Sequence, residues 1–471
     1  MIQLPLFGVE IIDILARSPR ERSEVNQMPE TTDKPRTLSQ KAAEYEFHPE
    51  IYAYPTPRMY GPLVNDLLPE PDFGQDIGVY IHIPFCKQIC SYCGYLKILD
   101  RSEELKEDYV SALTKEIAQY RPILESKTIK TLCFGGGTPT RLTNSQIKRI
   151  LDAIIETNPD SLKTSQEVSM EATPESILDP STIHELHEMG FNRISLGIQS
   201  LDPAEIRLCG RKNDPLLSIA AIKTLKETGI QNIVADLMIG IEGQTALSFQ
   251  RSAQTLADLR PDTVELYALG VNPNTRIGRA IGSATMSNQD TYTCYDIGRS
   301  IFLQAGYKQD CHNRYALPGR GSFLQEDHVF EGKGLIGLGA GARSYAKNIH
   351  YRNISKADGG SAIAGYIMMI NLGTSTRETG IVLDEEERMR QHAIYNIEHL
   401  DKNTFQRLSG RPFEETFPKF YQELMKSGLA NDDGHEIRLT TRGLNFRDLI
   451  GRELFSDKAN QAESSYRPVR P

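Results

Sequence analysis

No stretch of this 471-residue chain approaches the roughly 18 consecutive apolar residues of a membrane span. The first sixteen residues, MIQLPLFGVEIIDILA, are rather apolar but carry no basic residue and include Glu10 and Asp13. A secretory signal needs a positive start and an unbroken apolar stretch, so that reading is rejected. An excess of positive charge is also missing. The formal charge is -9, which argues against a nucleic-acid partner. Disulfide pairing is poorly served as well. The seven cysteines are an odd set, with one tight cluster and four scattered members, and a reducing cytoplasm fits them better than a secreted framework. There is no internal repeat.

Residues 1–45 are largely polar and charged after the first sixteen. They read as a flexible arm with too little apolar surface to offset ordering entropy. Residues 46–77 include YPTPRMYGPL, a Tyr- and Pro-rich stretch expected to lie extended over a surface. From residue 78 a rhythm sets in. Strand patterns at 78–85, 128–136, 167–172, 193–200, 233–240 and 263–270 alternate with helical patterns. Six strands alternating with helices imply an α/β fold with a parallel sheet, either open and doubly wound or a partial barrel. In both, ligands gather at the C-terminal strand ends. After about 290 the rhythm breaks. Residues 346–383 read as a connecting segment. Residues 384–456 read as a small helical, winged-helix-like domain with a short strand pair, and 457–471 as a loose polar tail.

CKQICSYC (86–93) places Cys86, Cys90 and Cys93 just past the first strand. Three thiolates leave one iron of a [4Fe–4S] cube open to an outside chelator. A catalytic zinc completed by His82 is the competing reading. Tyr92, between the last two cysteines, is placed to shield such a centre. FGGGTPT (134–140) follows the second strand and lacks the GK[ST] ending of a phosphate-binding Walker loop. It is either a tight turn or a place where exposed backbone N–H groups meet a small cofactor's amino group, ribose or phosphate. Glu171, Gln199 and Asp236 fall at or near successive strand ends, as binding groups or surface caps. Arg211 is a candidate carboxylate partner or a solvated loop residue.

Together, YIHIPFCKQICSYC, YVSALTKEI, FGGGTPT, RISLGIQS, DLMIGIEGQT and LGAGARSY resemble the radical S-adenosylmethionine (SAM) superfamily, and within it the oxygen-independent coproporphyrinogen III oxidase (HemN)-like family. The resemblance runs over about residues 48–450. It implies a TIM-like partial (β/α)6 barrel at 78–345 and a winged-helix-like C-terminal domain. It implies a [4Fe–4S] cluster on Cys86, Cys90 and Cys93, and one or two SAM molecules. Tyr80, Gly136, Gly137, Thr138, Glu171, Gln199, Arg211, Asp236 and Ala268 match the family's SAM-contact positions. It further implies a small-molecule substrate and an electron donor such as a flavodoxin or ferredoxin, in a cytoplasmic monomer. The oxidases of this group carry another cysteine two residues after the third, where this chain has Tyr95. That departure turns the leading expectation toward related enzymes that use a second SAM to methylate or cyclopropanate an sp2 carbon. Coproporphyrinogen III dehydrogenation and haem-chaperone-like binding are the alternatives.

Overall fold

The computed structural model describes residues 36–47, 50, 51, 53–63, 68–212, 214–272, 274–281, 286–321, 323–355 and 359–465. The six expected strands form in order: β1 (Asp76–Ile83), β2 (Thr128–Gly136), β3 (Glu167–Ala172), β4 (Arg193–Gln199), β5 (Asn232–Ile239) and β6 (Thr263–Ala268). Each runs parallel to the next. Their crossover helices are amphipathic, as the apolar spacing requires. The helix Asn144–Thr157 starts on a Thr143 capping box and buries Ile147, Ile150, Leu151 and Ile154. Polar residues alternate along the strands and meet one another. Arg193 of β4 reaches across to Glu265 of β6 at 3.1 Å and approaches Glu167 of β3 at 3.9 Å. Ser195 donates to Asp236 at 3.1 Å.

The later chain enlarges this sheet. β7 (Arg314–Ala316) pairs antiparallel with β6. β8 (Gly334–Leu338) lies parallel to β1 on its free side, as a seventh parallel strand. β9 (Arg343–Tyr345), β10 (Ile349–Asn353) and β11 (Arg377–Val382) extend it as an antiparallel series. Gly61–Pro62 adds an edge, and the thirteen-stranded order stays open rather than closing on itself. The segment expected to be a connection, 346–383, therefore supplies two strands of the main sheet and the helix Gly359–Asn371. Short antiparallel strands carry no βα rhythm, which is why their pattern does not stand out.

Glu116 ties this extension to the barrel. Its buried carboxylate accepts from Gly339 N and Tyr366 OH, each at 2.7 Å, from Thr376 Oγ1 at 3.0 Å and from Asn353 Nδ2 at 3.2 Å.

The C-terminal unit has a three-stranded sheet of His399–Asp401, Ala430–Asp432 and Glu436–Leu439, one strand more than expected. Its core holds Phe405, Phe413 and Phe417 in edge-on contact. The described segments 36–47 and 457–465 dock more than their composition suggests. Residues 1–35 of the arm lie outside the described residues, but Leu38–Ala43 is a helix with Leu38 and Ala42 buried. Part of the expected loose tail is likewise a helix, Asp457–Ser465. Thr56 donates to its Glu463 at 2.6 Å, and Arg58 pairs with the same carboxylate. These anchors are long-range partners that no local window contains. Among the described residues, no helix is long and apolar enough to cross a membrane.

Candidate functional site

The cysteine loop leaves β1 and is closed at its neck by a short parallel pairing of Phe85–Cys86 with Ile98–Leu99. Asp100 N donates to Cys86 O at 2.8 Å. Cys86 is buried, whereas Cys90 and Cys93 are half-exposed. The loop tip is held to the β4 side of the barrel. Ser91 N donates to Cys209 O at 2.9 Å, and Ser91 Oγ donates to Leu208 O at 2.7 Å. Arg211 donates through Nε to Cys90 Sγ at 3.3 Å, through Nη2 to Tyr92 OH at 3.2 Å, and through Nη1 to Gly197 O. Tyr92 packs on the small apolar cluster of Cys209, Met238 and Ile241. Thr138 Oγ1 lies 3.9 Å from Cys86 Sγ and is oriented to donate to it. Burial pushes the Cys86 thiol up to about 11 and raises that of Cys93.

The glycine run is a packing device. Gly136 has φ +109°, and a Cβ there would overlap the His82 ring. A Cβ on Gly137 would come within 2.8 Å of the Ile83 and Phe85 carbonyl oxygens. The backbone donors expected to face a ligand are already engaged. Gly136 N donates to Glu171 Oε2 at 3.0 Å, Gly137 N to Ile83 O at 2.8 Å and Thr138 N to Phe85 O at 2.9 Å. A phosphate cradle needs those N–H groups, so that option closes, and the run is left to offer carbonyl oxygens beside the Glu171 carboxylate.

Tyr80, His82, Tyr95, Gly136 and Glu171 line one cavity of about 520 Å³. Its lining also includes Arg343 and Arg352. Gln199 (φ +71°) sits at the end of β4, where Gly197 leaves room for both its amide and the Arg211 fork. Its Oε1 is buried without a protein partner. Asp236 and Ala268 do not line this cavity. Burial, with the Glu265 charge, pushes Asp236 up to about 8. Ala268 ends β6 and packs against the core.

His82 is unsuited to ligate zinc. Its Nε2 meets Leu96 O at 2.9 Å and its Nδ1 meets Tyr80 OH at 3.3 Å, so both ring nitrogens are occupied. Among the described residues, no three His, Cys, Asp or Glu side chains converge as a single-ion site. An iron–sulfur cube needs no such convergence, because each thiolate binds a different iron. The residues fit such a group in three respects: one loop carries all three thiols, Thr138 and Arg211 address two of the sulfurs, and the Gln199 acceptor nearby lacks a partner.

Sequence reasoning missed Arg343 and Arg352, along with Lys97 and Gln325 on the same cavity. Arg343 stands inside the LGAGARSY motif, so an arginine among small residues was the available signal. Arg352 carried no local signal, since only the sheet extension brings it to the barrel mouth.

The model of the Radical SAM superfamily matches residues 80–256. The chain is 28% identical over 385 residues to the heme chaperone HemW of Bacillus subtilis, covering 80% of this chain and 97% of that protein. It is 26% identical over 386 residues to the oxygen-independent coproporphyrinogen III oxidase of Escherichia coli, covering 78% and 82%. The solved structure of Escherichia coli coproporphyrinogen III oxidase (HemN), described as a radical SAM enzyme, superposes with a TM-score of 0.70 at 25% identity, over 81% of this chain and 90% of that one. Likeness to that superfamily implies a [4Fe–4S] cluster and SAM. By fold, by domain and by these relatives, the chain is similar to the HemN-like proteins of the radical SAM superfamily.

Proposed function

We propose that Cys86, Cys90 and Cys93 hold a [4Fe–4S] cluster, that SAM binds beside Gly136, and that the substrate is a carboxylate-bearing tetrapyrrole. The observation that carries this reading is the meeting of the cysteine loop's Tyr95 with Tyr80, Gly136 and Glu171 on one cavity. When bound, the cluster and the sulfonium together supply hydrogen-atom abstraction from the substrate. The chain's own residues bind and align. Glu171 and the carbonyls of the glycine run receive an ammonium group, and Gln199 Oε1 accepts from a ribose hydroxyl. Arg211 holds the loop in register with β4. The walls keep water from the reacting atoms.

The tetrapyrrole class comes from the relatives, an oxidase of coproporphyrinogen and a haem chaperone. Methylation or cyclopropanation with a second SAM finds no support among them. A second reading, haem binding of the chaperone kind, is favoured by Tyr95 standing where the oxidases carry their further cysteine, and by the 97% coverage of the chaperone.

Anaerobic reconstitution with SAM, dithionite and coproporphyrinogen III tests the proposal. Expected are about four irons per chain, 5′-deoxyadenosine, and loss of both in Cys90→Ala. Tight zinc in place of iron, or no SAM cleavage, would overturn it. S-adenosylhomocysteine as a co-product would restore methyl transfer. A Soret band on haem addition without SAM turnover would favour the chaperone reading.

A further inference from the structure

We propose that Arg343 and Arg352 form a clamp that selects the substrate by an aliphatic carboxylate. The proposal rests on the tetrapyrrole reading above and assigns its recognition to two residues on the sheet extension.

Arg343 of β9 and Arg352 of β10 are direct cross-strand partners. Both face the cavity that also holds Tyr80, Gly136 and Glu171. Like charges directly opposite on neighbouring strands repel one another, which costs a sheet some stability. An anion between them turns that cost into two charge-assisted contacts, and the guanidinium fork suits a carboxylate in bidentate geometry.

The rest of the wall agrees. Lys97 adds a third cationic side chain to the lining, although its ammonium already donates to the Cys93 and Tyr95 carbonyl oxygens at 2.6 and 3.0 Å. Glu171 is the acidic group of the lining, on the Gly136 side. Glu378 of β11 accepts from the Ser355 backbone N–H at 3.0 Å. Gln325 Oε1 is buried without a protein partner, and the residue lines the same cavity with 7% of its surface exposed. That acceptor suits an N–H donor on the molecule whose carboxylate the arginines hold. A carboxylate and an N–H on one ligand is the chemistry of a pyrrole bearing a propionate arm. The cavity of about 520 Å³ accommodates such a unit with the remainder of a larger ring toward its open mouth.

The test compares binding of coproporphyrin III and its tetramethyl ester to the reconstituted protein, followed by porphyrin fluorescence. Arg343→Gln, Arg352→Gln and Arg352→Lys are measured beside the parent, with thermal melts to verify folding. Expected is a preference for the acid of about tenfold or more, lost in both Gln variants and partly kept by Arg352→Lys. Equal binding of acid and ester, full acid preference in either folded Gln variant, or no binding of either porphyrin overturns the clamp. SAM cleavage without substrate is recorded on the same samples. Its absence in the parent protein refutes the radical reading and leaves the binding comparison standing on its own.

Discussion

Arg211 Nε lies 3.3 Å from Cys90 Sγ, while the same guanidinium donates to Tyr92 OH and to the Gly197 carbonyl. One planar fork thus joins the tip of the cysteine loop to the end of β4. Lysine retains the charge and cannot make three such contacts. Arg211→Lys is expected to cut SAM cleavage by about tenfold or more, in line with losses of partners to metal ligands. The cluster EPR signal should shift while iron content stays near the parent level. Unchanged spectra and rates would show that Arg211 does not position the loop.

Two glycines with similar backbones separate strain from collision. Gly190 has φ +98° and open space around a Cβ, whereas Gly136 has φ +109° and the His82 ring in the way. Gly190→Ala should cost only the left-handed backbone penalty, about 1–2 kcal/mol. Gly136→Ala should cost more, and should also lower SAM affinity by moving His82 and Tyr80. Urea unfolding and SAM titration check both; equal costs for the two variants would contradict the packing account.

Glu116 is 1% exposed and accepts four hydrogen bonds, from Gly339 just past β8, Asn353 of β10, Tyr366 of the helix Gly359–Asn371 and Thr376 just before β11. Glu116→Gln turns an amide NH₂ toward groups that themselves donate. A loss of about 2–4 kcal/mol is expected from the unsatisfied buried donors. Because this junction also carries the Arg343 and Arg352 strands, hydrogen exchange should rise in 343–353 before it rises in β2–β5. Uniform exchange would place the coupling elsewhere.

Acid stability should depend on two buried histidines. Burial holds His82 down to about 4 and His350 down to about 3, below the ordinary 6.5. Above pH 6.5 neither the folded nor the unfolded state carries these protons, so the residues leave stability unchanged. As the pH falls below 6.5, the unfolded chain takes up protons that the folded chain refuses, and stability drops toward the folded pKa values. His350→Asn removes one of these protons. Its denaturation free energy should therefore fall less steeply between pH 6 and pH 4, by up to about 1.4 kcal/mol per pH unit. Parallel profiles for parent and variant would contradict a neutral buried imidazole.

The six βα units and the cysteine loop were legible because their signals are local. Apolar runs of strand length, apolar stripes at helical spacing and three cysteines within eight residues each fit a short window. The later strands were not legible, because β8 joins β1 from more than 250 residues away and β9–β11 are short and antiparallel. The glycine run shows the division within a single motif. Its position after β2 followed from the sequence, but the engagement of its N–H groups by Glu171, Ile83 and Phe85 depends on neighbours from other strands.

By itself, the sequence determined the alternation of strands and helices and the thiol-bearing loop past the first strand. Each is a matter of residue type and spacing along the chain. Only the tertiary structure decided that residues 334–382 extend the sheet, that Arg211 grips the loop, and that Arg343 and Arg352 line one cavity with Glu171. Those relationships join residues tens to hundreds of positions apart, and folding brings them together through burial and hydrogen bonding that no local pattern encodes.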